Sequence, residues 1–260
     1  MGKKIRLDKF LADMGKGSRS QIKEAGKKGR IWVNGQAEKK PERKIDPETD
    51  QVCLDGQVVA YRQWEYFMLN KPKGVVSATE DRQYKTVVEL LGEDGRKGLF
   101  PVGRLDLDTE GLLLLTNDGE LAHRLLSPKR HVDKKYYARV SGILPEDAVW
   151  RMAQGMELED GTKVMPGRLE ILGEGGSAAG GGEKGPGRKE EERTGETEVF
   201  LTIQEGKYHQ VKRMFEALGC RVEYLKRVSF GNLVLEDTLL PGQYRRLSED
   251  ETEGLRKAGG

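Results

Sequence analysis

Apolar and polar positions alternate along the chain in short, well-separated patterns. Leu7, Phe10, Leu11 and Met14 recur at i, i+3, i+4 and i+7, which predicts a short helix stopped at Gly15. A second helix follows, with Ser18 or Ser20 as its N-cap and Ile22 and Ala25 turned inward. RIWVNGQ reads as a strand ending in a hairpin turn at Asn34-Gly35. A further strand is expected at 50–54, a second turn at Asp55-Gly56 and extended chain at 57–61. These elements make one small α/β module.

Beyond a junction at 62–65 the pattern changes. Residues 66–69 read as a buried strand, 70–74 as a turn, 75–78 as a returning strand and 86–91 as helix. The leucines of 111–116 mark a strand buried on both faces, and 120–126 a helix capped by Asp118 and stopped by Pro128. Val211, Met214, Phe215 and Leu218 share one helical face that ends at Gly219, and 221–227 alternates like a strand. An extended piece and a charged helix close the chain. Residues 173–198 hold nine glycines and eleven charged residues among 26, with no large apolar side chain. Such a segment cannot bury enough surface to offset its ordering entropy, so it reads as a disordered insertion. The extended pieces on either side, 168–172 and 199–204, are still able to pair, because a long loop adds little closure cost. The fold class is α+β in two domains, 1–61 and 62–250.

Composition narrows the function. At 36% hydrophobic and 34% charged the chain is polar but can form a core. No apolar run approaches the roughly 20 residues of a membrane helix, and the N-terminal residues lack the pattern of a signal peptide or a myristoylation site. Cys53 and Cys220 form no CxxC pair, as expected of a reduced, cytoplasmic protein. His123, His131 and His209 share no metal-ligand spacing, so no metal site is expected. Charge is placed unevenly. Residues 1–44 carry 14 Lys and Arg against 5 Asp and Glu, while the remainder carries 31 against 38. A basic module on a mildly acidic body points to a polyanion partner.

The residues Arg6-Leu7-Asp8-Lys9-Phe10-Leu11, Gly17-Ser18-Arg19 and 29–35 (GRIWVNG) make this module similar to the RNA-binding domain named after ribosomal protein S-four. That resemblance implies phosphate contacts from the two helices, with Lys9, Arg19, Lys23, Lys27 and Arg30 as the candidates.

The stretch GRLDLDTEGLLLLTNDG, residues 103–119, sets Asp106, Asp108 and Glu110 directly against the buried strand. A loop at the mouth of such a strand can hold a carboxylate fixed and partly desolvated. Asp108 and Glu110 read as solvated loop acids. Asp106 reads otherwise because of its neighbours. Taken with LNKPKGVVSAT, DKKYYARV and EGKYHQVKRMFEALG, the stretch resembles the RsuA subfamily of pseudouridine synthases. Four motifs occur in the expected order, and the likeness runs from about residue 5 to 250 apart from the insertion.

The resemblance implies a catalytic domain built on a mixed or antiparallel sheet. It implies conversion of a uridine in ribosomal RNA to pseudouridine without cofactor or metal. Asp106 matches the catalytic aspartate, which attacks the ribose or the uracil ring or removes a sugar proton. Tyr136 matches the active-site tyrosine that stacks on the uracil and helps remove its C5 proton, with Tyr137 one residue away. Lys212 matches the cation paired with the aspartate, with Arg213 the alternative. Arg104 resembles the residue that fills the gap left by a flipped base, and Leu225 the aliphatic residue against the uracil. The motifs are most like the small-subunit branch, which modifies uridine 516 of 16S RNA. The implied partner is ribosomal RNA, free or in an assembling 30S particle, met by a monomer. Rival readings are a large-subunit synthase, a non-catalytic ribosome-assembly factor, and a glycoside hydrolase using Asp106 and Glu110.

Overall fold

The computed structural model describes residues 4–61, 63–94, 98–175 and 196–259. The chain divides into two units, Met1–Glu65 with Leu91–Leu99, and Tyr66–Leu90 with Phe100–Gly260.

In the first unit, helices α1 (Leu7–Asp13) and α2 (Arg19–Lys27) form where the periodicity placed them. Ser18 is the α2 N-cap, and its side chain exchanges hydrogen bonds with Gln21 in a capping box. Leu7, Phe10, Leu11, Ile22 and Ala25 are buried together with Ile31, Val33 and Val52. Four short strands pair in the order Gln36–Ala37, Ile31–Val33, Val52–Leu54, Gln57–Val58. Asn34 and Gly35 have φ of 51° and 77°, as a two-residue hairpin requires. The pairing of Ile5–Arg6 with Lys44–Ile45 has no counterpart in the sequence expectations.

Among the described residues the second unit holds a nine-stranded mixed sheet. Its main path runs Arg168–Gly175, Glu196–Ile203, Lys134–Ser141, Arg221–Phe230, Glu110–Thr116, Tyr66–Lys71, Tyr244–Arg246. Neighbours on this path are antiparallel except at one seam, where Arg221–Phe230 and Glu110–Thr116 run parallel with only Lys226–Glu110 and Arg227–Gly111 in register. The seam demands glycine. A Cβ on Gly111, at φ 100°, would lie 2.2 Å from the Arg227 carbonyl oxygen and 2.7 Å from its nitrogen.

Helices α3 (Gly119–Leu126) and α6 (Glu249–Ala258) cover the core made by Met68, Leu112, Leu114 and Phe230. Asp118 caps α3 through the Leu121 amide at 3.0 Å and accepts the Tyr66 hydroxyl at 2.7 Å. Helix α4 (Ala148–Gln154) packs on the Arg168–Gly175 strand, and α5 (Gln210–Glu216) leads into Arg221–Phe230. No helix among the described residues is long and apolar enough to cross a membrane.

Two local expectations fail. Residues 75–78 form no strand, only a bridge between Val76 and Thr86. Residues 86–91 are not an α-helix: Thr86 bridges Val76, whose carbonyl accepts the Val87 amide at 3.0 Å, the chain then turns, and 3₁₀ turns run over Glu89–Asp94 with a break at Gly92. The two strands beside the insertion do pair, in a ladder that reaches Gly175 opposite Glu196. The ends of the expected 173–198 insertion are therefore strand, and 176–195 lie outside the described residues.

Candidate active site

The turn that carries Asp106 is fixed from behind. Leu105 is buried, and Ser77 holds its backbone from both sides, accepting from the Leu105 amide at 3.0 Å and donating to its carbonyl at 2.8 Å. The Gly74 amide donates to the Leu107 carbonyl at 2.8 Å, and the Thr109 amide to the Asp106 carbonyl at 3.1 Å. The strongest clamp is Lys71, fully buried at the end of its strand. Its ammonium donates to the carbonyls of Pro72 (3.1 Å), Asp106 (2.9 Å) and Thr109 (2.8 Å). Burial lowers the Lys71 pKa to about 8, partly offset by Asp106, Asp108 and Glu110.

On this clamped turn the Asp106 carboxylate is 30% exposed and meets two side chains from the start of α5. Lys212 Nζ is 3.2 Å from Oδ2, and His209 Nε2 is 3.6 Å from Oδ1. His209 reaches this position from a left-handed backbone, φ 47°, at the α5 N-cap. Lys212 is shared, since its Nζ lies closer to Asp108 Oδ1, at 2.7 Å. Burial disfavours the charge on Lys212, but the two carboxylates outweigh it and leave its pKa raised. Burial likewise works against the Asp108 carboxylate, and Lys212 overrides it and holds its pKa low.

Tyr136 and Leu225 line the same cleft as Asp106, Arg104 and His209. Alternation on the Lys134–Ser141 strand buries Tyr136 on this side. It sends Tyr137 to the other side, where its ring meets Phe200 and Tyr224 edge-on. Leu225 lies opposite Ala138 in the neighbouring strand and shares the buried face of Tyr136. Arg104 is exposed at the cleft.

Three sequence assignments change. Arg213 does not meet Asp106: its guanidinium pairs with Asp160 and donates to the Tyr208 carbonyl at 3.5 Å, because it projects from another side of α5 than Lys212. Asp108 is not a lone solvated acid, since it holds Lys212. Glu110 is no loop acid either: it begins the strand and accepts the Tyr224 hydroxyl at 2.7 Å. Lys71, Ser77 and His209 have no place in the sequence-based site. The signal for Lys71 was present as a lysine ending an apolar strand just before a Pro-Lys-Gly turn.

In the first unit, Arg19, Lys23 and Lys27 are exposed along α2 at i, i+4 and i+8. Lys9 and Arg30 are exposed but paired, with Asp13 and Asp55. Lys16 and Lys28 line a polar cleft of about 620 Å³ beside Arg30 and extend the basic surface beyond the expected set.

Comparison with known proteins finds the same two domains in order. Residues 5–52 match the S4 domain, and residues 65–217 match the family described as RNA pseudouridylate synthase. An uncharacterised RNA pseudouridine synthase of Bacillus subtilis is 45% identical, over 97% of this chain and 99% of its own length. A ribosomal small subunit pseudouridine synthase A of Vibrio parahaemolyticus is 40% identical over 96% and 99%. A crystal structure of a pseudouridylate synthase, 36% identical, superposes with a TM-score of 0.63 over 96% of this chain and 99% of the other. With a family match over more than half its length and full-length relatives, the chain belongs to the RNA pseudouridylate synthases, isomerases that act on RNA, and carries an N-terminal S4 domain.

Proposed function

We propose that the chain converts one uridine of small-subunit ribosomal RNA to pseudouridine, with Asp106 as the catalytic carboxylate. The observation that carries this reading is the convergence on one cleft of Asp106 and the buried pair Tyr136 and Leu225, with Lys212 3.2 Å from the carboxylate. The uridine leaves its stack and lies between Tyr136 and Leu225, at a modest unstacking cost. Asp106 starts the reaction at the ribose or the uracil. The C1′–N1 bond breaks, the base turns, C5 bonds to C1′, and the C5 proton passes to Tyr136 and then solvent while N1 takes up a proton. Atoms and electrons balance with no co-reactant. Lys212 sets a positive charge 3.2 Å from the Asp106 carboxylate. Arg104 fills the space left by the base, and the basic face of α2 binds phosphates of the same RNA.

The small-subunit assignment follows the relative from Vibrio parahaemolyticus and others of that name. It makes uridine 516 of 16S RNA the expected target, met as naked RNA or in an assembling 30S particle, by a monomer in the cytoplasm. The test is tritium release from RNA labelled at uridine C5, with wild type beside Asp106→Asn and the product base mapped. Release by wild type alone, at that base, is expected. Equal release by both would sink the assignment of Asp106, and release from large-subunit RNA alone would move the target.

A further inference from the structure

Tyr208 is 74% exposed, yet nothing about its loop is loose. Its ring stacks on His209, with centroids 3.8 Å apart and planes 19° from parallel, and His209 in turn reaches Asp106. The loop beneath is braced at every step. Buried Gln210 donates to buried Glu205 at 3.0 Å, and Glu205 also accepts the Met165 amide at 2.7 Å. The Lys207 amide donates to the Gln210 side chain at 2.9 Å, and the Gln210 amide to the Lys207 carbonyl at 3.2 Å. Arg213, tied to Asp160, holds the Tyr208 carbonyl. Burying a carboxylate and a carboxamide to fix a loop whose most prominent side chain faces water is costly unless that side chain has a ligand. One face of the Tyr208 ring is taken by His209, and so much exposure leaves the other open. Lys207, on the same loop, adds to the bracing: its ammonium lies 3.5 Å from Glu205 Oε2 and donates to the Lys163 carbonyl.

We propose that Tyr208, backed by His209, is the stacking platform for an unpaired nucleobase that flanks the reacting uridine, which deepens the reading of the cleft given above. Stacking on an aromatic ring accepts any base, and a single-stranded neighbour of a flipped nucleotide presents an open π-face. Tyr136 and Leu225 hold the base that reacts; Tyr208 holds the next one, in line with His209 and Asp106.

The test is steady-state kinetics of wild type, Tyr208→Ala and Tyr208→Phe on an RNA stem-loop. The RNA is used intact and with a single abasic site at either nucleotide beside the target. Tyr208→Ala is expected to raise KM roughly 5- to 150-fold, the range of one base–aromatic stack, with kcat changed less than about twofold. Tyr208→Phe should match wild type. One abasic flank should raise the wild-type KM by a similar factor and leave that of Tyr208→Ala unchanged. An unaltered KM in Tyr208→Ala, or losses that multiply when both changes are combined, would overturn the platform. If the wild type turns over no uridine, the functional reading fails instead. The platform is then read directly with 2-aminopurine at the flank: quenching by wild type but not by Tyr208→Ala supports it, and equal quenching overturns it.

Discussion

Replacing Lys71 by methionine removes the ammonium that ties the Asp106 turn to its strand while keeping the apolar stem. Two effects oppose each other. Three carbonyls lose a charged donor, at about 1.5–3 kcal/mol each. Against this, burial has lowered the Lys71 pKa from 10.5 to about 8, a cost to the charged form of about 3 kcal/mol at neutral pH, which methionine relieves. The net loss of stability at pH 7 is then about 2–6 kcal/mol. The pH dependence is the sharper signature. From pH 8 to the unfolded value of 10.5 the unfolded chain keeps a proton that the folded chain has released, so Lys71 makes wild type more stable as pH rises. Lys71→Met lacks this gain. Its deficit should therefore widen above pH 8, by up to about 1.4 kcal/mol per pH unit. Lys134, lowered to about 8 by burial, is common to both proteins and cancels in the difference. Urea unfolding of both proteins at pH 7.0, 8.0, 9.0 and 9.5, followed by circular dichroism, measures it. A deficit that stays flat or narrows would show that the carbonyls fully compensate the buried charge, and the reasoning would be wrong.

Lys212→Met takes the shared cation from both Asp106 and Asp108 and should cut kcat by about 10²-fold, whereas Asp108→Asn leaves the Asp106 contact in place and should cost far less; equal losses would break the shared-cation picture. Arg213→Gln should leave kcat within about twofold, because this guanidinium holds Asp160 rather than the cleft carboxylate. Gly111→Ala puts a methyl into the Arg227 backbone at a disallowed φ, for an expected loss of at least about 3 kcal/mol in denaturant unfolding; a near-neutral result would mean that the seam can shift. Because Gly175 pairs with Glu196, replacing 176–195 by Asn-Gly closes a hairpin and should leave turnover within about twofold; its collapse would give the insertion a role in the reaction.

What could be read from the sequence was what neighbouring residues decide. The spacing of Leu7, Phe10, Leu11 and Met14 names a helix face unaided, and Asn34-Gly35 names its own turn. Alternation forces Tyr136 and Tyr137 to opposite sides, so the structure needed only to say which side is the cleft. What could not be read depends on partners far along the chain. Lys71 finds its acceptors 35 and 38 residues away, and Arg213 finds Asp160 where Lys212 finds Asp106, though the two are adjacent on one helix. Thr86 reads as helix because nothing local reveals its bridge to Val76. Glu110 reads as a loop acid until the seam beside it is known.

That seam has a consequence for how the molecule comes to be active. Asp106 lies before the Glu110–Thr116 strand, whereas Leu225 lies on Arg221–Phe230 and Lys212 on the helix that feeds it. The carboxylate and its cation belong to chain segments a hundred residues apart, joined through two register pairs. Such a contact forms late, after the entropy of closing a long loop has been overcome. A nascent chain folded only as far as Thr116 would carry the aspartate without its lysine, its tyrosine or its cleft. On the proposed reading of the cleft, reactivity toward RNA would arrive only once Arg221–Phe230 has docked beside Glu110–Thr116, and the ion pair between Asp106 and Lys212 would report that docking.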